Sequence, residues 1–212
     1  SIHDAWKYDT KSNKDDLVNG DYNQDSDCTT HFGTADKYGN LVSCTQTAVS
    51  SFGSKVISNG LGILWNNGMI WFNPKPGSKN SIAPFKRPLV NMAPILAKKN
   101  GKPYMSVGSP GGRKVNNANT NLSLNILEFG MGPQEAISTS RSDASGATTL
   151  LDHRINQNVI SELKKMGHKI QMIDDMEAWY SFARPSAIVI DQDNKTIYGG
   201  SDSFPVAEAR GY

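Results

Sequence analysis

Thr29 and Thr30, within Cys28-Thr29-Thr30-His31-Phe32, open a run of strand-type residues. A threonine hydroxyl is too weakly acidic to attack an amide unaided. One remedy is to cut the chain just before it, so that the freed α-amino group becomes the base. A second element with chemical potential is Gly108-Ser109-Pro110-Gly111-Gly112-Arg113, set between an apolar run and a helical pattern. Successive glycines at a helix start leave backbone N–H groups unobstructed and aligned with the positive end of the helix dipole, an arrangement able to stabilise an oxyanion. Each element also has a plainer reading: a β-branched residue on a pleated surface, and a tight strand-to-helix turn. The glycine loop lacks the spacing and the following Lys-Ser/Thr of a P-loop, which argues against nucleotide phosphate.

The elements that must position these groups are legible in outline. Runs from Gly33 to Lys37 and from Leu41 to Thr47, separated by Tyr38-Gly39-Asn40, predict a β-hairpin beginning at Thr29. Leu61 to Trp65 reads as a short strand, and residues 73–85 as a loop. Ala93 to Lys98 and Pro103 to Val107 flank Asn100-Gly101, a strong signal for a two-residue hairpin turn. Val115, Ala118, Leu122 and Ile126 form a helical stripe that Gly130 can end; Val159, Leu163 and Met166 form another, stopped by Gly167. Ile170 to Ile173, Ala187 to Ile190 and Thr196 to Tyr198 supply further strands. Strands with helices on one face predict a layered α/β domain. Residues 1–28 are polar and read as an exposed linker upstream of that domain, which spans 29–212.

Composition narrows the function. With 22 basic and 20 acidic residues in a chain of 212, nothing points to nucleic acid or an anionic membrane as partner. Two cysteines make no disulfide framework, and four scattered histidines lack zinc-ligand spacing, so neither metal nor cofactor is expected. No apolar run approaches the ~18 to 20 residues of a membrane span. The first residues lack signal-peptide order, so any signal would lie upstream and the compartment is open between cytoplasmic and exported. His31 reads as a packing or hydrogen-bonding residue of the first strand. Asp191-Gln192-Asp193-Asn194 reads as a polar turn, because it lacks the glycine and distal glutamate of a calcium loop.

Thr29-Thr30-His31, Asp36 to Asn40, Thr45-Gln46-Thr47, Phe52-Gly53, Asn66-Asn67, Lys75-Pro76-Gly77, Lys86-Arg87-Pro88-Leu89, Gly108 to Gly112 and Gly211-Tyr212 stand in one order. In that order the chain resembles the small subunit of γ-glutamyltranspeptidases, which are N-terminal-nucleophile hydrolases. The resemblance implies a four-layer αββα sandwich shared with a large subunit cut from the same precursor, and higher oligomers of such heterodimers are compatible with it. It implies self-cleavage of the Cys28–Thr29 bond, Thr29 as nucleophile with its own amine as base, Thr47 as a supporting hydroxyl, and Gly111 and Gly112 as the oxyanion hole. An unperturbed N-terminal amine titrates near pH 8 and is partly neutral at physiological pH, as a base must be.

Departures from the family pattern bear on substrate. Positions that hold the γ-glutamyl α-ammonium in the family are Val49, Gly68 and Trp71 here, after Asn67; where two serines hold the α-carboxylate, this chain has Val90 and Asn91. Losing a charge-assisted hydrogen bond of about 1.5 to 3 kcal/mol lowers affinity roughly ten- to a hundredfold. Trp65, Trp71 and Phe72 are candidates to line a more apolar acyl pocket, Trp71 foremost because it replaces a substrate-binding acid. The resulting expectation is an acylase or amidohydrolase of small amide or peptide-like substrates, armed only once Cys28–Thr29 breaks. The alternatives are a true γ-glutamyltransferase or glutathione hydrolase, and an uncleaved binding or scaffold homologue.

Overall fold

Alternation in Lys102 to Gly108 decides the layering: Met105 and Val107 point one way and Ser106 the other. In the computed structural model, which describes residues 28–174, 181–202 and 207–212, this run is the central strand of a sheet. The segment expected to be an exposed linker falls, except for Cys28, outside the described residues. The chain divides into two compact units, one comprising Cys28 with Thr47–Asn91 and the other Thr29–Gln46 with Met92–Tyr212.

In the larger unit, β1 (Thr29–Ala35) and β2 (Leu41–Thr47) form the two-stranded hairpin. The Asp36 carboxylate closes its turn by accepting the N–H groups of Tyr38 and Asn40, both at 2.9 Å. β3 (Ile95–Lys99) and β4 (Lys102–Gly108) meet across Asn100-Gly101, both with positive φ as a type I′ turn demands. α1 (Val115–Leu127) and α2 (Pro133–Ser138) follow, then β5 (Ser142–Asp143), β6 (Thr149–Asp152), α3 (Gln157–Lys165) and β7 (Ile170–Ile173). β8 (Ser186–Asp191) and β9 (Thr196–Ser201) return antiparallel, giving the order β3-β4-β8-β9. β5-β6-β7 form a separate small sheet, with β6 and β7 parallel around α3. The α/β class read from the sequence is the class observed.

Both faces of the four-stranded sheet are covered. Met105 and Val107 of β4, with Ala187 and Val189 of β8, pack against Leu122 and Ile126 of α1 and Ala136 and Ile137 of α2. The opposite face meets the hairpin: Ser106 Oγ donates to Val42 O at 3.0 Å and Ser43 Oγ to Val107 O at 2.9 Å. Helix, sheet and second sheet thus stack as three successive layers within this unit.

Two sequence expectations need correction. Leu61 to Trp65 is not a strand; only the isolated Ile57–Leu64 bridge forms, because the chain turns at Gly60 and Gly62 and these side chains have no sheet to face. In α3 Ile160 is buried and Leu163 half-buried one turn later, whereas Val159 and Met166 are exposed, so the inward face keeps Leu163 of the expected stripe and takes Ile160 in place of the other two. α2, β5 and β6 were not anticipated from the sequence.

His31 locks the hairpin to the sheet. Its ring lies against Gly108, where a Cβ would stand 2.1 Å from the imidazole Cε1, and Nδ1 bonds Thr45 Oγ1 at 2.8 Å. Burial lowers its pKa from 6.5 to about 4, so the ring is neutral at physiological pH. Gly108→Ala is expected to destabilise the fold by about 1 to 3 kcal/mol in urea unfolding, the usual overpacking cost. A group whose folded pKa is depressed stabilises above its unfolded pKa and loses that contribution as pH falls. Stability should therefore fall between about pH 6.5 and 4, and His31→Asn should flatten that part of the profile.

Candidate active site

The scissile bond expected from the sequence joins Cys28 to Thr29, so the first question is what holds its carbonyl. In the smaller unit, Cys28 O accepts the Ala48 N–H at 3.2 Å and the Thr47 hydroxyl at 3.4 Å. The Thr47 oxygen in turn accepts the Val49 N–H at 2.8 Å. That bond occupies a lone pair of the hydroxyl and leaves its proton for Cys28 O. An O–H···O bond of 3.4 Å is long for a ground state; it would shorten as negative charge grew on the oxygen. One peptide oxygen thus has two donors, a main-chain N–H and a side-chain hydroxyl.

The Ala48 contribution was invisible to sequence reasoning, because a main-chain N–H leaves no signature in residue type. Thr29 opens β1 on the face that His31 turns inward, and it is half-buried.

Predicted acyl-site residues share this unit, but several are committed to local structure. Asn67 Oδ1 accepts the Ser50 N–H at 3.1 Å and its Nδ2 donates to Ser50 Oγ at 2.8 Å. Its backbone N–H reaches Ala48 O at 3.2 Å, tying it to the segment that holds Cys28 O. Gly68 starts a short 3-10 turn, Gly68–Trp71, and its N–H is capped by Asn66 Oδ1 at 2.9 Å. Trp71 is half-buried, with its carbonyl held by Asn80 Nδ2 at 2.8 Å. Phe72 is buried, as a packing residue would be, whereas Trp65 is exposed. Asn91 is half-buried, and no hydrogen bond among the described residues joins it to Asn67, Gly68 or Trp71.

The glycine loop belongs to the larger unit. Ser109 and Asn119 form its buried floor: Ser109 Oγ donates to Asn119 Oδ1 at 2.8 Å, and Asn119 Nδ2 donates to Ala93 O at 2.7 Å. Asn119 interrupts the apolar face Val115, Leu122, Ile126 of α1, a polar intrusion in a buried stripe that could have been noticed in the sequence. Lys114 N–H bonds Gly111 O, and Arg184 N–H bonds Pro110 O at 3.0 Å. Among the described residues no acceptor engages the N–H of Gly111 or Gly112.

The family model described as Gamma-glutamyltranspeptidase matches residues 2–212. The "Glutathione hydrolase proenzyme" of Bacillus subtilis (strain 168) is 32% identical over 201 residues, covering 94% of this chain and 33% of that protein. The "Acylase ACY 1 proenzyme" of Pseudomonas sp. (strain V22) is 37% identical over 142 residues, covering 67% of this chain and 25% of that protein. Among solved structures, the γ-glutamyltranspeptidase from Pseudomonas nitroreducens complexed with L-DON superposes with a TM-score of 0.69 at 27% identity, covering 86% of this chain and 99% of that one. The chain therefore spans about a third of the length of the first of these curated relatives.

Val49 carries a φ of 75°, the left-handed region that β-branched residues avoid. Asparagine tolerates that conformation. Val49→Asn is accordingly expected to raise unfolding free energy by about 1 kcal/mol in denaturant titration. A loss of stability would mean that packing of the valine side chain outweighs its backbone strain.

Proposed function

Because the chain belongs to the gamma-glutamyltranspeptidase family, we propose that it is the nucleophile-bearing part of a self-cleaving amide-bond hydrolase. The observation that carries this reading is the Cys28 carbonyl, held by Thr47 Oγ1 and the Ala48 N–H. In the maturation step, Thr29 Oγ adds to the Cys28 carbonyl carbon and the C–N bond breaks. The chain shifts to an ester on Thr29 with its amine freed. Water hydrolyses the ester, leaving a Cys28 carboxylate and an N-terminal Thr29.

The same hydroxyl then attacks a substrate carbonyl. Its proton passes to the Thr29 amine and onward to the departing amine, and the acyl group rests on Thr29 as an ester until water releases it. Gly111 and Gly112 supply N–H groups to the substrate oxyanion in that step. The upstream two-thirds of the precursor furnishes the large subunit and the remaining substrate contacts.

The substrate in this reading is an amide whose acyl group lacks the γ-glutamyl head. Val49, Gly68 and Trp71 offer no carboxylate to an α-ammonium, and the Asn67 side chain is engaged with Ser50. An apolar or simple dicarboxylic acyl group leaves no such charge unpaired. Relatives named as glutathione hydrolases keep a second reading in play, in which the γ-glutamyl head is held by groups of the large subunit.

A pair of anilides separates the two. The full-length protein should hydrolyse glutaryl anilide at least about tenfold faster in kcat/KM than γ-glutamyl anilide, the effect of one lost charge-assisted bond, and Thr29→Ala should abolish both. Equal or better turnover of the γ-glutamyl compound would overturn the acyl assignment; activity surviving in Thr29→Ala would overturn the nucleophile.

A further inference from the structure

The glycine loop is braced from behind by a buried charge cluster that the catalytic reading has not used. Gly111 has a φ of 143°, and a Cβ there would stand 2.5 Å from Ala183 Cβ, so residue 183 sits directly against the loop backbone. The next residue holds the loop as well, through Arg184 N–H to Pro110 O at 3.0 Å. Residues 183 and 184 thus fix the loop at two adjacent points, one by contact and one by a hydrogen bond.

What fixes residues 183 and 184 is Arg141. Its Nη1 donates to Ala183 O at 3.0 Å and its Nη2 to Ile137 O at the end of α2 at 3.1 Å. The same guanidinium pairs with Asp202 at 2.5 Å, and Arg184 approaches that carboxylate at 3.7 Å. Asp202 also donates its backbone N–H to Pro185 O at 3.0 Å, so the acid is anchored to the segment it stabilises. Its side chain is only 5% exposed and that of Arg141 15%. Such a pair is fixed in geometry, because separating two desolvated charges leaves each unpaired.

Resting on the reading of Gly111 and Gly112 as oxyanion donors, we propose that Arg141, held by Asp202, is a positioning residue that sets those two amides through Ala183. A planar fork reaches Ala183 O and Ile137 O by hydrogen bonds and Asp202 as an ion pair from one side chain; a lysine ammonium keeps the charge and loses that arrangement. The device acts on the oxyanion and leaves substrate binding alone, so its loss falls on turnover.

The test compares Arg141→Lys and the near-isosteric Asp202→Asn with Arg154→Lys in the full-length protein. Arg154 pairs with the buried Asp152, whose N–H donates to Arg141 O, and bonds Ser138 O beside Ile137, so it controls for breaking a neighbouring arginine–aspartate pair that makes no bond to Ala183. Amide hydrogen exchange across 108–114 should quicken by about tenfold or more in the first two variants and stay unchanged in the third. In the same two variants kcat on the best anilide should fall about a hundredfold, with KM within about threefold. Unchanged exchange at 108–114 in both variants would overturn the positioning role, whatever the activity. Faster exchange with undiminished kcat would instead overturn the oxyanion assignment of the glycines, so the two failures are told apart.

Discussion

The contact on which the larger unit depends is the flat face of a neutral imidazole against a residue with no side chain. His31 fills the space that a Cβ at position 108 would occupy, and this seats the strand that begins at Thr29 on the strand that ends in the glycine loop. One packing event therefore fixes the starts of two chemically important segments. The cost is a ring kept out of water in its uncharged form, which burial enforces by pulling its pKa down to about 4. Ser43 and Ser106 complete the join by bonding to backbone carbonyls across the two sheets, while His31 Nε2 is buried there without a hydrogen-bond partner among the described residues.

The smaller unit is organised by backbone and amide side chains, with little apolar packing of its own. Phe72 is its one buried hydrophobic residue among those described, and the order comes from Asn66, Asn67 and Asn80 bonding to neighbouring main chain. This construction tolerates Val49, Phe52, Lys55 and Phe85 at positive φ, conformations that cost energy and persist only where surroundings over-determine them. A segment built this way can change its side chains without losing its course. That is the physical setting in which side chains diverge while the backbone course is kept.

Much of this was legible in the sequence where local chemistry and tertiary demand agree. Asn100-Gly101 named its turn because both positions need positive φ, and Val115, Leu122 and Ile126 marked the inward face of α1. The sequence misled where they disagree. Leu61 to Trp65 has strand composition but no sheet to join, and in α3 the adjacent Val159 and Ile160 cannot both face inward, a choice that falls to Ile160. At the site, residue types pointed to Thr29, Thr47 and the glycines through the family resemblance. They could not reveal the Ala48 N–H on Cys28 O, the engagement of Asn67 by Ser50, or the Arg141–Asp202 brace. Each of these depends on where backbone groups meet, and backbone groups are the same in every residue.

The account stands or falls on the bond between Cys28 and Thr29, whose carbonyl already receives two donors in the uncut chain. Intact-mass measurement of the full-length protein, with N-terminal sequencing of any fragment, tests it most directly. Self-cleavage predicts two chains, the smaller beginning Thr29-Thr30-His31, and a single uncut chain for Thr29→Ala. A wild-type protein that stays whole, or one that breaks elsewhere, would contradict it.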